Sequence, residues 1–332
     1  DSTGRSLLII AVIARNVRAM QAICDLGLWS FYIDHRMPKT AASKDLAGKT
    51  AVQIARTVVR SHKISHQLKK LSELETSMDE LLKSARVGNL REVRRLIRKS
   101  QLVMNMVDAD GNTVLHHACV GGNLAVIRML LKDGCNIEAS NHQADSLLHT
   151  TVLNGTLGVL KLLLKRKAID VEKRNKGGKT AMMLCAERGS FRMLEMLRRA
   201  GAQMSPDLLS IAASKGCLSF IKHCHRKLEL SLNHVDGKKC TLLHHACTQS
   251  NADLILYLLE NMEKPKETLL AQNYAGQTVL HECCNNLITN PKALRLLLKS
   301  AEHYGVLERL INERDLYTGH NNCVLVSGLS EG

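Results

Sequence analysis

The fold of this chain is decided by the stretch DADGNTVLHHACVGGNLAVIRMLLKDGCNIEASN, residues 108–141. Part of it, TVLHHAC at 113–119, returns almost unchanged as TLLHHAC at 241–247. Two histidines and a cysteine within four positions raise the question of a duplicated metal or catalytic site. The alternative is that the duplication belongs to a structural repeat.

A period of about 33 residues favours the repeat. Similar strings begin at Thr113, Ser146, Thr180, Thr241 and Thr278. The first two spacings are 33 and 34 residues, and the last is 37. The gap of 61 residues between Thr180 and Thr241 holds a degenerate unit at 205–224. A fixed period of this length is the signature of a stacked repeat protein.

Each recurring letter has a physical reason. Thr or Ser at the start of the string caps free backbone N–H groups, so a short helix is predicted to begin just after it. Nine residues later Gly122, Gly155 and Gly189 permit the left-handed backbone of a tight turn. A second helix follows and ends in paired leucines, as at Leu130 and Leu131. One helix pair cannot bury its own apolar face, so the pairs are predicted to stack into a solenoid.

These units resemble the ankyrin repeat, whose pattern is DxxGxTPLHxAxxxGxxxxVxxLLxxGAxxN. The best match is 108–141, followed by 143–165 and 177–202, and weaker units are found at 4–23, 45–55 and 80–97. The resemblance implies an all-α solenoid of eight or nine stacked helix-turn-helix units, joined by β-hairpin-like loops.

The resemblance also assigns a role to four histidines. In the ankyrin family the histidine of the motif hydrogen-bonds neighbouring turns, and His116, His149, His244 and His281 occupy its position. The usual Pro of the motif is replaced in every strong unit, and Met183 stands at the histidine position of the third. We therefore expect softer joints between residues 175 and 232.

Composition fits a repeat array inside the cell. The 332 residues are 45% hydrophobic, enough for a sizeable core, whereas the 3% of aromatic residues is low for a compact enzyme. Apolar runs such as 6–14 are too short to cross a bilayer, and no leader sequence is recognisable. An odd number of scattered cysteines, 11, indicates a reducing compartment. We expect an intracellular protein in the cytoplasm, with the nucleus as the alternative.

The domain organisation is less regular at both ends. Residues 1–75 are predicted to be divergent ankyrin-like units, the end of a first block, with a bend or seam near 72–79. Residues 76–312 are predicted to form the main block, and 313–332 an incomplete repeat or disordered tail. Both ends suggest a fragment of a larger protein.

No catalytic site, metal site or cofactor is expected. The sequence has no GxxxxGKS/T loop, no GxSxG elbow and no HExxH. A zinc site needs four converging ligands, whereas adjacent helical residues such as His116 and His117 point about 100° apart. Cys119 and Cys247 are expected to be small buried side chains, and the cluster 223–225 is expected to diverge as well.

We therefore expect a non-enzymatic scaffold that binds a partner protein through a concave surface of hairpins and first helices. The resemblance places the contacts at Asp110, Asn112, His117, Gln143, Asp145, Lys176, Lys179, Arg188, Lys215, Lys238 and Lys239. From Lys176 onward this set is mostly cationic, so an acidic partner is the natural complement. One alternative is a regulatory segment of a larger channel, acyltransferase or ubiquitin-ligase receptor. Another is suggested by the net charge of +15, a basic surface that binds nucleic acid or an anionic membrane.

Overall fold

A computed structural model of the chain describes residues 62–99, 107–166, 168–285 and 291–314, together with Arg18 and Leu316. In these residues the regular secondary structure is α-helical, and three isolated antiparallel bridges each join residues six apart. The bridges join Val107 to Thr113, Ser140 to Ser146 and Val235 to Thr241. The predicted all-α architecture with hairpin-like loops is confirmed.

The described residues form a series of helices. In chain order they are α1 His62–Val87, α2 Leu90–Lys99, α3 Val114–Gly121, α4 Leu124–Lys132, α5 Leu147–Leu153, α6 Leu157–Leu164, α7 Ala181–Glu187, α8 Phe191–Arg199, α9 Leu208–Ala213, α10 Leu218–Leu228, α11 Leu242–Thr248, α12 Ala252–Asn261, α13 Pro265–Leu270, α14 Val279–Asn285, α15 Pro291–His303 and α16 Leu307–Asn312. None of the described helices is both long and apolar enough to span a bilayer.

Polar side chains fix the first residue of the helices that follow each hairpin. Thr113 Oγ1 accepts the backbone N–H of His116, and Thr180 and Thr241 cap α7 and α11 in the same way. In α3, α5 and α11 the capping is reciprocal, because the histidine at the third helical position accepts the N–H of the capping residue. Gly122 ends α3 at φ 73°, which favours glycine. The predicted start and stop signals of these helices are confirmed.

The chain divides into two compact units, residues 1–170 with 174–178 and residues 171–173 with 179–332. In the first unit α1, α3 and α5 pack side by side in one layer, and α2, α4 and α6 pack in a second layer. Each helix of the first layer also contacts the helix of the second layer that follows it in sequence. This is the stacking of helix pairs that the period predicts.

The second unit repeats the arrangement. Its first layer contains α7, α9, α11 and α14, and its second layer contains α8, α10, α12 and α15. The extra residues that lengthen the last spacing form α13, which begins at Pro265 and packs on α14 and α16. Pro suits the first helical position because its missing N–H is not needed there.

Aliphatic side chains from both layers form the core. In the first unit the fully buried side chains include Leu115 on α3 and Ile127 and Leu130 on α4. In the second unit Leu243 on α11 and Leu258 on α12 are also fully buried. Full burial of one such side chain contributes about 1.5–3 kcal/mol relative to exposure. Neighbouring pairs share these contacts, so each pair stabilises the next.

The beginning of the described structure corrects one expectation. The predicted bend near 72–79 is replaced by one continuous helix, α1, from His62 to Val87. The reason is that this stretch contains neither Gly nor Pro, the residues that break helices. The proposed domain boundary between residues 75 and 76 therefore falls within a helix. The weak units at 4–23 and 45–55 and most of the predicted tail at 313–332 lie outside the described residues.

Candidate binding surface

Four hairpin tips are shaped by the same side-chain turn. Asp236 Oδ1 accepts the backbone N–H groups of Lys238 and Cys240, both at 2.8 Å. Asp108, Asn141 and Asn273 make the equivalent pair of bonds at their own tips. These side-chain oxygens stand in for backbone acceptors, as Asp and Asn do in tight turns. The tips are consequently held in one conformation that presents their intermediate residues to solvent.

The motif histidine lies inside the repeat stack in the four units that have one, at His116, His149, His244 and His281. In His116, Nδ1 accepts the backbone N–H of Thr113 at 3.2 Å, so Nε2 carries the proton and donates to the carbonyl of Asp145 at 3.3 Å. His244 joins Thr241 to Gln277 in the same way. Each ring ties its own helix start to the next hairpin, which confirms the role that the resemblance implied for these two residues.

Burial keeps these bridging rings neutral. Because desolvation disfavours the charged imidazole, the pKa of His116 is lowered and that of His244 falls to about 4. Adjacent cysteines are buried too, and burial raises the pKa of Cys119 to about 12. Cys119 and Cys247 are fully buried, as predicted for packing residues.

The second histidine points away from the first and meets the aspartate of its own hairpin. Nε2 of His117 lies 2.8 Å from Oδ2 of Asp108, and Nε2 of His245 lies 2.9 Å from Oδ2 of Asp236. Burial acts to raise the pKa of Asp236, but hydrogen bonds from Cys240, Lys238 and His245 outweigh it, and the pKa is lowered. The adjacent histidines thus diverge as expected, while the second one converges with residues of the hairpin.

The first unit presents three of the predicted contact residues to solvent. Asp110, Gln143 and Lys176 are exposed at successive hairpin tips. Their backbones link the tips, since the N–H of His142 donates to the carbonyl of Asp110 and that of Lys176 donates to the carbonyl of Gln143, each at 2.8 Å. Their side chains extend from a rigid edge.

The other predicted residues of the first unit make hydrogen bonds within and between the hairpins. Asn112 Oδ1 accepts a hydrogen bond from Asn141 Nδ2 at 3.0 Å, and Asp145 Oδ1 accepts one from Asn175 Nδ2 at 2.9 Å. His117 is held by its hairpin aspartate. All three predicted residues are partly buried, and their polar groups hold the hairpins together.

In the second unit the predicted cations occupy two different ends of the helices. Lys179 lies in the hairpin before α7, where its Nζ pairs with Glu187 Oε1 at 2.6 Å. Arg188 caps the far end of α7, and Lys215 lies in the equivalent turn after α9. Arg188 and Lys215 therefore follow the last residue of a first-layer helix, whereas Lys179 precedes the first.

Lys238 and Lys239 lie beside a concave cleft in the second unit. The cleft has a volume of about 370 Å³ and is lined by Lys238, Cys240, His244, His245, Thr248, Asn273, Tyr274, Ala275 and Glu282. Tyr274 is 64% exposed at the next hairpin tip, and Lys239 Nζ lies 5.1 Å from the centre of its ring. Sequence reasoning missed Tyr274 and Glu282, although an aromatic residue at a hairpin tip is a signal in a chain with few aromatics.

Burial raises the pKa of the Glu282 carboxyl, while the nearby His245 acts in the opposite direction. Its oxygen accepts a hydrogen bond from Asn273 Nδ2 at 3.3 Å. The cleft therefore combines exposed cations at its rim with a half-buried acid, an imidazole and a thiol inside.

The residues 223–225 do not converge on one point. The ring of His223 stacks on Phe191 with 4.6 Å between centroids, Cys224 is buried, and His225 Nδ1 bonds the carbonyl of Leu230 at 3.1 Å. Each side chain is used in packing or capping around α10. The arrangement agrees with the divergence expected for consecutive helical residues.

Comparison with known proteins gives the following matches. Residues 59–141 and 209–307, more than half of the chain, match the family profile described as ankyrin repeats (3 copies). Among solved structures, the ankyrin repeat domain of human ASB11 is similar to this chain with a TM-score of 0.52 and 23% identity. The similarity covers 66% of this chain and 96% of that domain, and it concerns the fold. No curated protein matches the chain in sequence.

Proposed function

The chain belongs to the ankyrin repeat family, and on this premise we propose that it is an intracellular protein-interaction module without catalytic activity. Ankyrin repeat domains are generic protein-binding modules and are typically non-catalytic. Within each compact unit the stacked helix pairs present their hairpins and first-layer helices, which offers a partner a surface. We propose that this surface is the binding site.

The second unit supports the most specific form of the proposal. Lys238 and Lys239 are exposed at one hairpin tip and Tyr274 is exposed at the next. Lys238 and Tyr274 line the 370 Å³ cleft, and Lys239 Nζ lies 5.1 Å from the centre of the Tyr274 ring. The N–H of Tyr274 donates to the carbonyl of Lys238 at 3.1 Å, so the two tips are held together. Rigid aromatic residues beside concave surfaces are typical of binding hot spots. This juxtaposition is the single observation that carries the proposal.

An acidic segment of a partner protein fits this site best. The two lysine side chains provide positive charge at the rim, where they steer a negatively charged partner and align it with the cleft. The exposed aromatic ring supplies apolar area for a side chain next to the acidic residues. Arg188 and Lys215 are left out of this site because they do not line the cleft.

A charge-reversal experiment tests the proposal. The double variant Lys238→Glu and Lys239→Glu changes the rim without touching the core. Proteins captured from a cell lysate by the wild-type chain and by the variant are compared by quantitative mass spectrometry, and each difference is then measured with the purified partner. We expect the partner affinity to fall about tenfold through slower association, and its salt dependence to decrease.

The matched control carries the same change in charge on α2. Arg91 and Arg94 are exposed on this helix, whereas Val93, Leu96 and Ile97 are buried. The variant Arg91→Glu and Arg94→Glu should keep the partner. If the α2 variant loses binding and the hairpin variant keeps it, the basic helix is the binding surface and the hairpin proposal is wrong.

A further inference from the structure

The two hairpins that carry the duplicated motif differ at one position next to their histidine–aspartate pair. In the first, Asn112 Nδ2 donates to Asp108 Oδ2 at 3.1 Å, beside His117. In the second, Cys240 stands at the equivalent place, beside Asp236 and His245. The duplication therefore supplies an internal comparison, in which one hairpin has an amide where the other has a thiol.

In the second hairpin three metal-ligating groups converge. One ligand atom each of Asp236, Cys240 and His245 lies within 4.8 Å of the other two. Ligand atoms at zinc distances of about 2.0–2.3 Å in a tetrahedral site lie roughly 3.3–3.8 Å apart. Small side-chain rotations are enough to bring the three atoms to such separations.

The structure already orients one ligand and leaves the site accessible. Asp236 Oδ1 is held by the backbone N–H groups of Lys238 and Cys240, which leaves Oδ2 for a metal ion. Such second-layer hydrogen bonds fix the orientation of metal-ligating carboxylates. Cys240 and His245 line the cleft together with Glu282, so an ion can enter and meet a further oxygen ligand or water.

We propose that Asp236, Cys240 and His245 form a Zn²⁺ site at the mouth of the cleft. Thiolate, imidazole and carboxylate together suit Zn²⁺, whereas Mg²⁺ and Ca²⁺ prefer oxygen ligands alone. On binding, the thiol of Cys240 releases its proton to water. The Nε2–H of His245 now donates to Asp236 Oδ2. On metal binding Nε2 releases this proton to water and Nδ1 takes up a proton from water, so that the lone pair of Nε2 is free for the ion. Water or the Glu282 carboxylate completes the coordination.

Titration of the purified full chain with Zn²⁺ and with Co²⁺ tests this site. After treatment with a chelator and its removal, the wild-type chain should bind one equivalent of Zn²⁺ by calorimetry. Co²⁺ in place of zinc should give a thiolate-to-cobalt charge-transfer absorption, which reports directly on a sulfur ligand. The Cys240→Ser variant should lose this absorption and bind Zn²⁺ at least about tenfold more weakly, since even outer-layer changes cost that much.

Two further variants separate this site from chance binding to other thiols. Cys217, partly exposed and outside the cluster, provides the control Cys217→Ser, which should bind like the wild type. The Asn112→Cys variant should bind a second equivalent, because Asp108 and His117 are already in place. A wild-type chain without the charge-transfer absorption overturns the proposal, and so does an unchanged zinc affinity in Cys240→Ser.

Discussion

Adjacent histidines in the repeated HHAC string have different surroundings and different roles. The first, such as His116, is buried and joins Thr113 to the next hairpin, and the second, such as His117, pairs with the aspartate of its own hairpin. The helix separates them because successive side chains point about 100° apart. The repeated string is therefore a structural motif at its first histidine. Its second histidine contributes to a proposed metal site only where another metal-ligating side chain lies beside it, as Cys240 does beside His245.

Burial of His116 makes the free energy of unfolding depend on pH. Its pKa is lowered below 6.5 by burial, so below that pH the unfolded chain binds more protons than the folded chain. The stability that the neutral ring provides is present above pH 6.5 and is lost as the pH falls toward the folded-state pKa. The slope amounts to at most about 1.4 kcal/mol per pH unit for this one group.

The variant His116→Gln removes the titration and keeps a side chain that suits the capping position. We expect it to be less stable than the wild type by about 1–2 kcal/mol at neutral pH, because the bond to Asp145 is lost. The difference should shrink as the pH falls to about 5, where the wild type has lost part of its advantage. Urea denaturation at several pH values measures this, and a difference that stays constant with pH would contradict the assignment.

At the scale of helices and hairpins, what the sequence predicts depends on local signals. Thr113, Thr241 and Gly122 predict where helices start and stop, because caps and glycine turns act through neighbouring residues. The continuity of α1 and the formation of α13 were missed. The repeat pattern suggested a new block from residue 76, although the stretch of α1 contains no Gly or Pro that would end a helix. The formation of α13 depends on the burial of Thr268 and Leu269, and a resemblance to a repeat pattern does not supply that information.

The degenerate unit at 205–224 lacks the capping hydrogen bonds that begin α3 and α11. α9 has six residues, and its first residue is preceded by Asp207, whose side chain makes no capping bond. In the unit before it, Thr180 caps α7 through the N–H of Met183, but no histidine returns the bond. Fewer hydrogen bonds secure these helix starts than those of α3 and α11.

We therefore predict faster amide hydrogen exchange at 205–232 than at 108–165. A local stability lower by about 1.4 kcal/mol gives a rate about tenfold higher. Exchange measured by mass spectrometry on peptides of the native chain tests this, with 241–262 as an internal reference that contains the full Thr–His motif. Equal protection in all three regions would show that stacking against neighbours outweighs the missing caps.

For the molecule as a whole, the repeated pattern predicts the stack but not its individual sites. Stacking follows from apolar positions that recur in every unit, so one sequence period is enough to foresee it. The cleft, in contrast, forms where the hairpin of Cys240 meets Tyr274 of the next hairpin and Glu282 of the next first-layer helix. These contacts join residues more than 30 positions apart, at positions that vary from one repeat to the next. The stacked fold can therefore be predicted from the sequence alone, whereas the binding cleft is found only in the three-dimensional structure.

Because the core is apolar and the proposed zinc site lies at the cleft, the response of the whole chain to metal can be predicted. The core of the second unit is made of buried side chains such as Leu243, Leu258 and Phe220, which need no ion to pack. A chelator should leave the helical circular dichroism and the cooperative melting transition unchanged. Zn²⁺ at a hundredfold excess over its dissociation constant should add about 2.7 kcal/mol to the stability of the native state. For a unit of this size that raises Tm by several degrees, and Cys240→Ser should abolish the rise. A fold that collapses in chelator would instead mean that the histidines and cysteines hold a structural metal, and the packing roles assigned to them would be wrong.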